Sequence, residues 1–567
     1  MENLNSEAAD KQAQQRLNEG STWLTIASVV SRVLGVIYII PWMRWMGDPE
    51  SATAANALFN IGYNWYSIFL MVAVAGVPAA ISRQLAYYNA QRRYQTGLRL
   101  FKAASGLMIA SGVIGGLILY LAAPILSVGT PTTNVNDAIQ TIRSLVPALV
   151  VLPFLSILRG FFQGFQEMKS SAISQMTEQI ARVAYMLVAV FLLRRVMGAP
   201  VSDAVVQSTF AAFIGAVVAI LTLGFYYVRN RAEYQIPKDF VEEGEYIRTR
   251  SLLKEIILIS IPFVISGAIL EFLNVIDTQT FRPIMARVSS LSPEEIVNQY
   301  GIFGANVRKL VTVLVSFATA ISGTLIPVIA DTYTREITEK RAQGTSNKTV
   351  SLHKTSGLIE HGLALYALVM LPASFGFAVL AGPLYQVIYY QDAMGEFYLQ
   401  LSCLLALAQG LYFIMMSTVQ AMNKQKQGMI GVAIAVVTKL VLQYPLLWLF
   451  GTPGAILATL SAFLLPSVYY FVILNRYTSL SLDRIAERVW PAVEAVLVML
   501  VVIIPVVYGV RHFVPVLHTI GALLLIIIIG MMGAGIYMLM VLYNHSADTL
   551  IGQEKAERMR QWLGFNR

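Results

Sequence analysis

The sequence predicts an all-α polytopic membrane protein of about 14 transmembrane helices, and three observations carry that prediction. Of the 567 residues, 56% are hydrophobic and only 13% are charged, more apolar surface than a water-soluble chain can bury. Apolar runs of about 20 residues, enough to cross a hydrocarbon core at ~1.5 Å per residue, recur from end to end. Lysine and arginine gather in alternate loops between those runs, the asymmetry that orients helical membrane proteins.

Residues 1–21 are polar, lack the apolar core of a cleavable leader, and read as a cytoplasmic tail. The predicted spans then follow at 22–46, 58–82, 103–123, 140–163, 172–193, 204–228 and 253–277. The remainder lie at 302–330, 357–382, 397–420, 427–450, 453–475, 489–510 and 517–543. An even number of spans puts both termini on one side. With the N-terminus inside, inward loops collect Arg92, Arg93, Arg99 and Lys102, later Arg335, Lys340 and Arg341, then Lys424 and Lys426. The net charge of +9 is therefore topology rather than nucleic-acid binding. The single cysteine, Cys403, excludes an intramolecular disulfide, and the five histidines are too scattered to hold a metal. No Walker A loop, GxGxxG or GxSxG is present, so neither ATP hydrolysis nor acyl transfer is expected, and no resident cofactor.

An internal repeat organises the spans. "QGFQEMK" (Gln163–Lys169) and "QAMNKQK" (Gln420–Lys426) match at one fixed offset, which also pairs Arg182 with Lys439. "GAP" (Gly198–Pro200) and "GTP" (Gly451–Pro453) fall in equivalent loops. The second and eighth spans are each expected to break at a Gly–Pro element followed by a polar exit, "AGVPAAISRQ" (Ala75–Gln84) and "SGTLIPVIADTYTR" (Ser322–Arg335). A six-span unit repeated in parallel gives two lobes related by a pseudo-twofold axis along the membrane normal, with the substrate site expected between them. The expected divisions are a tail at 1–21, an N-lobe at 22–250, a C-lobe at 251–480, and two extra helices with a tail at 481–567. Two six-helix lobes without an ATP motif describe a secondary transporter.

Several charges stand inside or beside the apolar runs. Arg32, within "TIASVVSRVLGVIYIIPW" (Thr25–Trp42), lies near the middle of the first span, where an arginine costs at least ~2.5–3.5 kcal/mol. It is read either as half of a structural pair or as an anion ligand, whose planar fork can grip pyrophosphate bidentately; the second reading is preferred. Arg83 follows the Pro78 element and is either an ordinary inward-side residue or the first cation met by an arriving headgroup. Glu271, Asn274 and Asp277 recur in steps of three in the seventh span. They suit a gate or a coupling-cation site, sodium or proton, as well as plain salt bridges. Glu178 and Arg182, spaced i, i+4, read as a neutralising pair. Gly76, Pro78, Gly323 and Pro327 are candidate hinges, because each proline removes a backbone hydrogen bond.

"SRVLG" (Ser31–Gly35) and "GANVRKL…SGTLIP" (Gly304–Pro327) resemble motifs of the MurJ-type lipid II flippases in the MATE/MOP exporter superfamily. The form "SRVLGVIYIIPW" is closer to the SpoVB/YtgP branch of Gram-positive bacteria. MurJ itself has an arginine where this chain has Tyr38, and arginines in the second span where this chain reads "SIFLMVAVAG" (Ser67–Gly76). The resemblance implies a plasma-membrane protein that is not an enzyme. It would move an undecaprenyl pyrophosphate-linked peptidoglycan precursor between leaflets by alternating access, with membrane lipids and the cell-wall synthesis machinery as partners. It also implies that Arg308 faces the cavity as a substrate-binding cation, with Lys309 beside it at the gate; snorkelling at the interface is the competing reading for both. Flipping of capsule-type undecaprenyl-linked sugars and cation-coupled drug export are the alternative activities.

Overall fold

The computed structural model describes residues 37–74, 76–91, 93–234, 267–342, 352–513 and 518–564, with residues 23, 27, 30, 31, 34 and 35 ahead of them. All regular structure among the described residues is helical, and 12 of these helices are long and apolar enough to cross a membrane. They coincide with the second to sixth and the eighth to fourteenth predicted spans. The other two predicted spans, 22–46 and 253–277, lie partly outside the described residues, and Arg32 lies outside them altogether. The chain divides into two compact units, residues 1–279 and 280–567. The boundary expected at 250 falls in a stretch outside the described residues.

The first unit comprises α1 (Ile39–Met46), α2 (Pro49–Val74), α3 (Val77–Ala90), α4 (Tyr94–Leu126), α5 (Val135–Ser144), α6 (Val146–Gly164), α7 (Met168–Phe191), α8 (Val201–Arg229) and α9 (Arg231–Tyr234). The N-terminal half of α10 (Ile269–Val288) completes it. A π-helical turn, Leu192–Val196, closes α7. Trp42 Nε1 donates to Ser208 Oγ at 2.9 Å, tying α1 to α8. With lipid on the outside there is little hydrophobic drive between helices, so small residues that let backbones approach hold the bundle. Gly215 on α8 is one such contact: a Cβ there would sit 2.7 Å from the Glu178 carbonyl oxygen of α7.

The second predicted span is two helices. α2 ends at Val74, Gly76 takes φ +70°, and α3 starts at Val77 with Pro78 in its first turn, where a missing N–H leaves no helical bond unmade. α6 packs against this break, since a Cβ on Gly160 would lie 2.7 Å from the Pro78 carbonyl oxygen. Left-handed backbone costs an L-residue roughly 1–2 kcal/mol. Gly76→Ala is therefore expected to lower thermal stability by about that much, whereas Gly323→Ala, at a helical position with open space around its Cβ, should raise the unfolding midpoint slightly, as alanine favours helix over glycine.

The second unit begins within α10 and continues through α11 (Pro293–Tyr300), α12 (Arg308–Ala342), α13 (His353–Val379), α14 (Ala381–Ile388), α15 (Ala393–Ala421), α16 (Gln425–Phe450) and α17 (Thr452–Thr478). It ends with α18 (Leu482–Phe513), α19 (Thr519–Tyr543), α20 (Ala547–Ile551) and α21 (Gln553–Trp562). Ser292 and Glu295 form a capping box that starts α11. A π-helical turn, Gly301–Val307, then joins α11 to α12 without interruption. The break expected in the eighth span is absent: Pro327 sits inside α12, and the helix continues through it. The two Gly–Pro elements equated by the repeat thus differ locally: Gly76 has a positive φ and ends a helix, whereas Gly323 is helical and Pro327 removes only one hydrogen bond.

The two helices beyond the repeat pack onto α13. Val496, Met499 and Ile503 of α18 and Ile529 and Tyr537 of α19 share a core with Ala367 and Leu368. The Tyr537 hydroxyl donates to the Leu368 carbonyl at 2.7 Å. Towards the start of α13 the Glu360 carboxylate, 1% exposed, accepts from Arg484 Nε at 3.0 Å, with Arg488 at 3.9 Å. Cys403 is enclosed on α15.

Candidate functional site

Three charges stand well inside α6 and α7: Arg159 on α6, and Glu178 and Arg182 on α7. Arg159 Nη2 stands 2.6 Å from Glu178 Oε2, both side chains being about 20% exposed (20% and 19%). The same guanidinium donates to Ser174 Oγ. The i, i+4 pairing expected between Glu178 and Arg182 is therefore replaced by a pair between helices. The reason is that each residue has a partner on another helix: Arg159 reaches Glu178 from α6, and Arg182 turns to Tyr63 on α2. Arg182 Nη2 donates to the Tyr63 hydroxyl at 2.7 Å, and its guanidinium carbon stands 5.2 Å from the centre of the Tyr63 ring. Tyr38 and Tyr66 are close enough to interact with it electrostatically. Arg159 gave no sequence signal of its own, because its partner lies 19 residues away on another helix.

The acidic candidates occupy the first half of α10. Glu271 and Asn274 are half-buried, with Asn274 Nδ2 at 3.5 Å from Glu271 Oε2, and Asp277 is 3% exposed. Thr278 donates to the Asn274 carbonyl at 2.8 Å and accepts from Asn64 Nδ2 of α2 at 2.8 Å. These residues thus share one stretch of helix fastened to α2. Arg83 is exposed on α3.

In the second unit Arg308 and Lys309 are half-buried in the first turn of α12, directly after the π-helical turn. That turn was not legible in the sequence beyond its paired glycines, Gly301 and Gly304. It is clamped from α14 and the residue after it: Asn306 Nδ2 donates to the Tyr385 hydroxyl at 2.8 Å, and the Tyr389 hydroxyl donates to the Asn306 carbonyl at 2.9 Å. π-turns of this kind recur at functional sites. Beyond Arg308, the exposed residues Thr312, Thr319, Gly323, Thr324 and Pro327 recur at helical spacing along α12. Their hydroxyls donate back into the helix, Thr312 to Arg308 and Thr319 to Ser316, each at 2.9 Å. Lys439, the repeat counterpart of Arg182, is fully enclosed and donates to the Ala455 carbonyl at 3.0 Å and Thr459 Oγ1 at 2.5 Å.

An apolar groove of about 780 Å³ runs between α13, α15 and α18. Phe375, Val379, Leu500, Ile504 and Val507 line it, and the bidentate Arg511–Glu396 pair (2.5 and 2.9 Å) closes one end.

Long apolar helices in two compact units, with charges held inside the spans, define a multi-pass helical membrane protein. The chain belongs to the polysaccharide biosynthesis protein family, which it matches over residues 17–333. It is 31% identical over 483 residues to the lipid II flippase MurJ of Bacillus subtilis (strain 168), spanning 83% of this chain and 85% of that relative. Stage V sporulation protein B of the same organism is 21% identical over 457 residues, 76% of this chain and 82% of the relative. Among solved structures, a lipid II flippase MurJ in an inward closed conformation aligns with a TM-score of 0.60 at 13% identity, covering 92% of this chain and 99% of that one. An inward-facing multidrug resistance MATE family transporter of the MOP superfamily aligns at 0.57 and 15% identity, covering 82% and 98%. At those identities the structural likeness establishes the shared fold. The kinship and the apolar helices together make this a multi-pass inner-membrane protein.

Proposed function

We propose that the chain is a lipid II flippase that carries its substrate from the inner to the outer leaflet by alternating access of two six-helix lobes, with both termini cytoplasmic. The observation that carries this reading is the 31% identity to the B. subtilis lipid II flippase over most of both chains. The physical task is to pass a pyrophosphate-bearing head through hydrocarbon while the polyprenyl tail stays in lipid. Arg32, Arg308 and Arg83 would neutralise the head, and the polar stripe on α12 suits a wet cavity better than lipid. The groove between α13, α15 and α18 offers the tail an apolar path. No nucleotide motif supplies energy, so a gradient or the membrane potential, worth about 2.3 kcal/mol per charge per 100 mV, drives the cycle. Glu271, Asn274 and Asp277 are the proposed gate or coupling site for sodium or a proton, with Lys309 beside the gate and Gly76, Pro78, Gly323 and Pro327 as hinges. The cell-wall synthesis machinery is the proposed partner.

A second reading, transport of other undecaprenyl-linked saccharides, is favoured by the family's description as polysaccharide biosynthesis proteins. Cation-coupled drug export fits less well, because the spans hold arginines where a cationic drug would need acids. In cells lacking any second flippase, depletion of the protein should lower the lipid II accessible at the outer face while total lipid II rises. Arg308→Ala at normal surface expression should fail to restore it. Unchanged outer-face lipid II on depletion would overturn the lipid II reading in favour of the second.

A further inference from the structure

We propose that Arg182 is an anion-binding residue of the first unit, presenting its guanidinium from a tyrosine-lined recess to the phosphate oxygens of a lipid-linked ligand. The identity of that ligand rests on the flippase reading; the anion site does not. Arg182 lies 14 residues into α7, roughly 21 Å along a helix that spans the membrane. An arginine at such depth is costly in hydrocarbon, so it must be paired or face water. Among the described residues no carboxylate pairs with it: Glu178, one turn away, is committed to Arg159, and Arg182 donates to Tyr63 instead. Arg159, Glu178 and Arg182 therefore sum to one positive charge.

The donor count agrees. A guanidinium carries five N–H groups, and among the described residues Arg182 spends one of them, on the Tyr63 hydroxyl. The side chain is half-buried rather than enclosed, so its remaining donors have an open side. Tyr63 fixes the guanidinium by its hydroxyl and its ring together, and is itself braced by Phe59, stacked at 4.5 Å, and Tyr66, edge-on at 5.5 Å. Tyr38 and Tyr66 add phenolic groups beside the cation. Rigid placement and spare donors on one fork are what bidentate phosphate recognition needs. Lys439 shows the opposite arrangement at the repeat-equivalent position, fully enclosed with a carbonyl and a hydroxyl as acceptors. Of these two equivalent cations, Arg182 is the one open to a ligand, and Tyr63 is its positioning residue.

The test is equilibrium binding to the full-length protein in nanodiscs, with undecaprenyl pyrophosphate, phosphatidylglycerol and uncharged undecaprenol as probes. Wild type should bind undecaprenyl pyrophosphate in preference to undecaprenol. Arg182→Gln should weaken the pyrophosphate lipid roughly 10- to 100-fold, the range carried by a charged hydrogen bond, and leave undecaprenol unchanged. Arg182→Lys, which keeps the charge and loses the fork, should fall about fivefold or more; it carries the test alone if the glutamine variant does not fold. Tyr63→Phe should weaken the pyrophosphate lipid by a smaller factor, in the same direction. Binding of undecaprenyl pyrophosphate that is indifferent to both Arg182 variants overturns this proposal and leaves the flippase reading intact. Arg182-dependent binding of phosphatidylglycerol with none of undecaprenyl pyrophosphate keeps the anion site and overturns the flippase reading. Equal losses for all three lipids, or no binding of either phosphate-bearing lipid, overturn the proposal.

Discussion

Neutralising Glu178, as in Glu178→Gln, is expected to cost about 3 kcal/mol of stability, the lower end of what breaking a buried ion pair costs. The variant leaves Arg159 without its carboxylate at 2.6 Å and leaves two arginines of like charge in one membrane-embedded cluster. The penalty is mostly the stranded charge rather than the lost attraction, since desolvation dominates such pairs. Replacing both members with apolar residues, Arg159→Met with Glu178→Leu, should therefore recover most of the loss. Thermal unfolding of the detergent-solubilised protein, followed by size exclusion, reads both effects. A single variant as stable as wild type would mean that water solvates Arg159 in place of the carboxylate.

Gly454→Val is expected to be at least as damaging, about 3 kcal/mol or more. A Cβ at this position would stand 2.0 Å from the Leu446 carbonyl oxygen and 2.3 Å from its carbon. These are backbone atoms of α16 and cannot rotate away, so α17 must move. The next carbonyl along, Ala455, accepts from the buried Lys439 ammonium at 3.0 Å. Displacing α17 thus withdraws an acceptor from a cation with no access to solvent, adding the cost of a poorly satisfied charge to the steric one. The same unfolding assay checks this, and little folded monomer should survive extraction. If Gly454→Val matched wild type, the close α16–α17 approach would not be what holds Lys439.

The long apolar runs made the spans legible, because run length and hydropathy are local properties of the chain. The break at Gly76 was legible for a similar reason: glycine followed by proline two residues on favours a helix end and a new first turn. The continuity of α12 through Pro327 was not, since a helix absorbs one missing hydrogen bond when its surroundings hold it straight. The same limit governs the charges. Sequence spacing shows which groups share a helix face, so Glu178 pointed to Arg182. It does not show which neighbouring helix comes closer, and Arg159 takes the carboxylate. Nor does a repeat offset report enclosure, so Arg182 and Lys439 matched in sequence while one is half-buried and the other sealed. The π-helical turn before Arg308 left only a pair of glycines as a trace.

The enclosed Cys403 has a practical consequence for observing this molecule at work. A thiol shut inside a helical core is slow to meet reagents, which attack accessible thiolates. Because it is the chain's one cysteine, thiols introduced on exposed positions such as Gln91 and Thr334 would be the ones that react. Pairs of spin labels or fluorophores can then be attached to an otherwise native sequence, and the distances between them followed through a transport cycle.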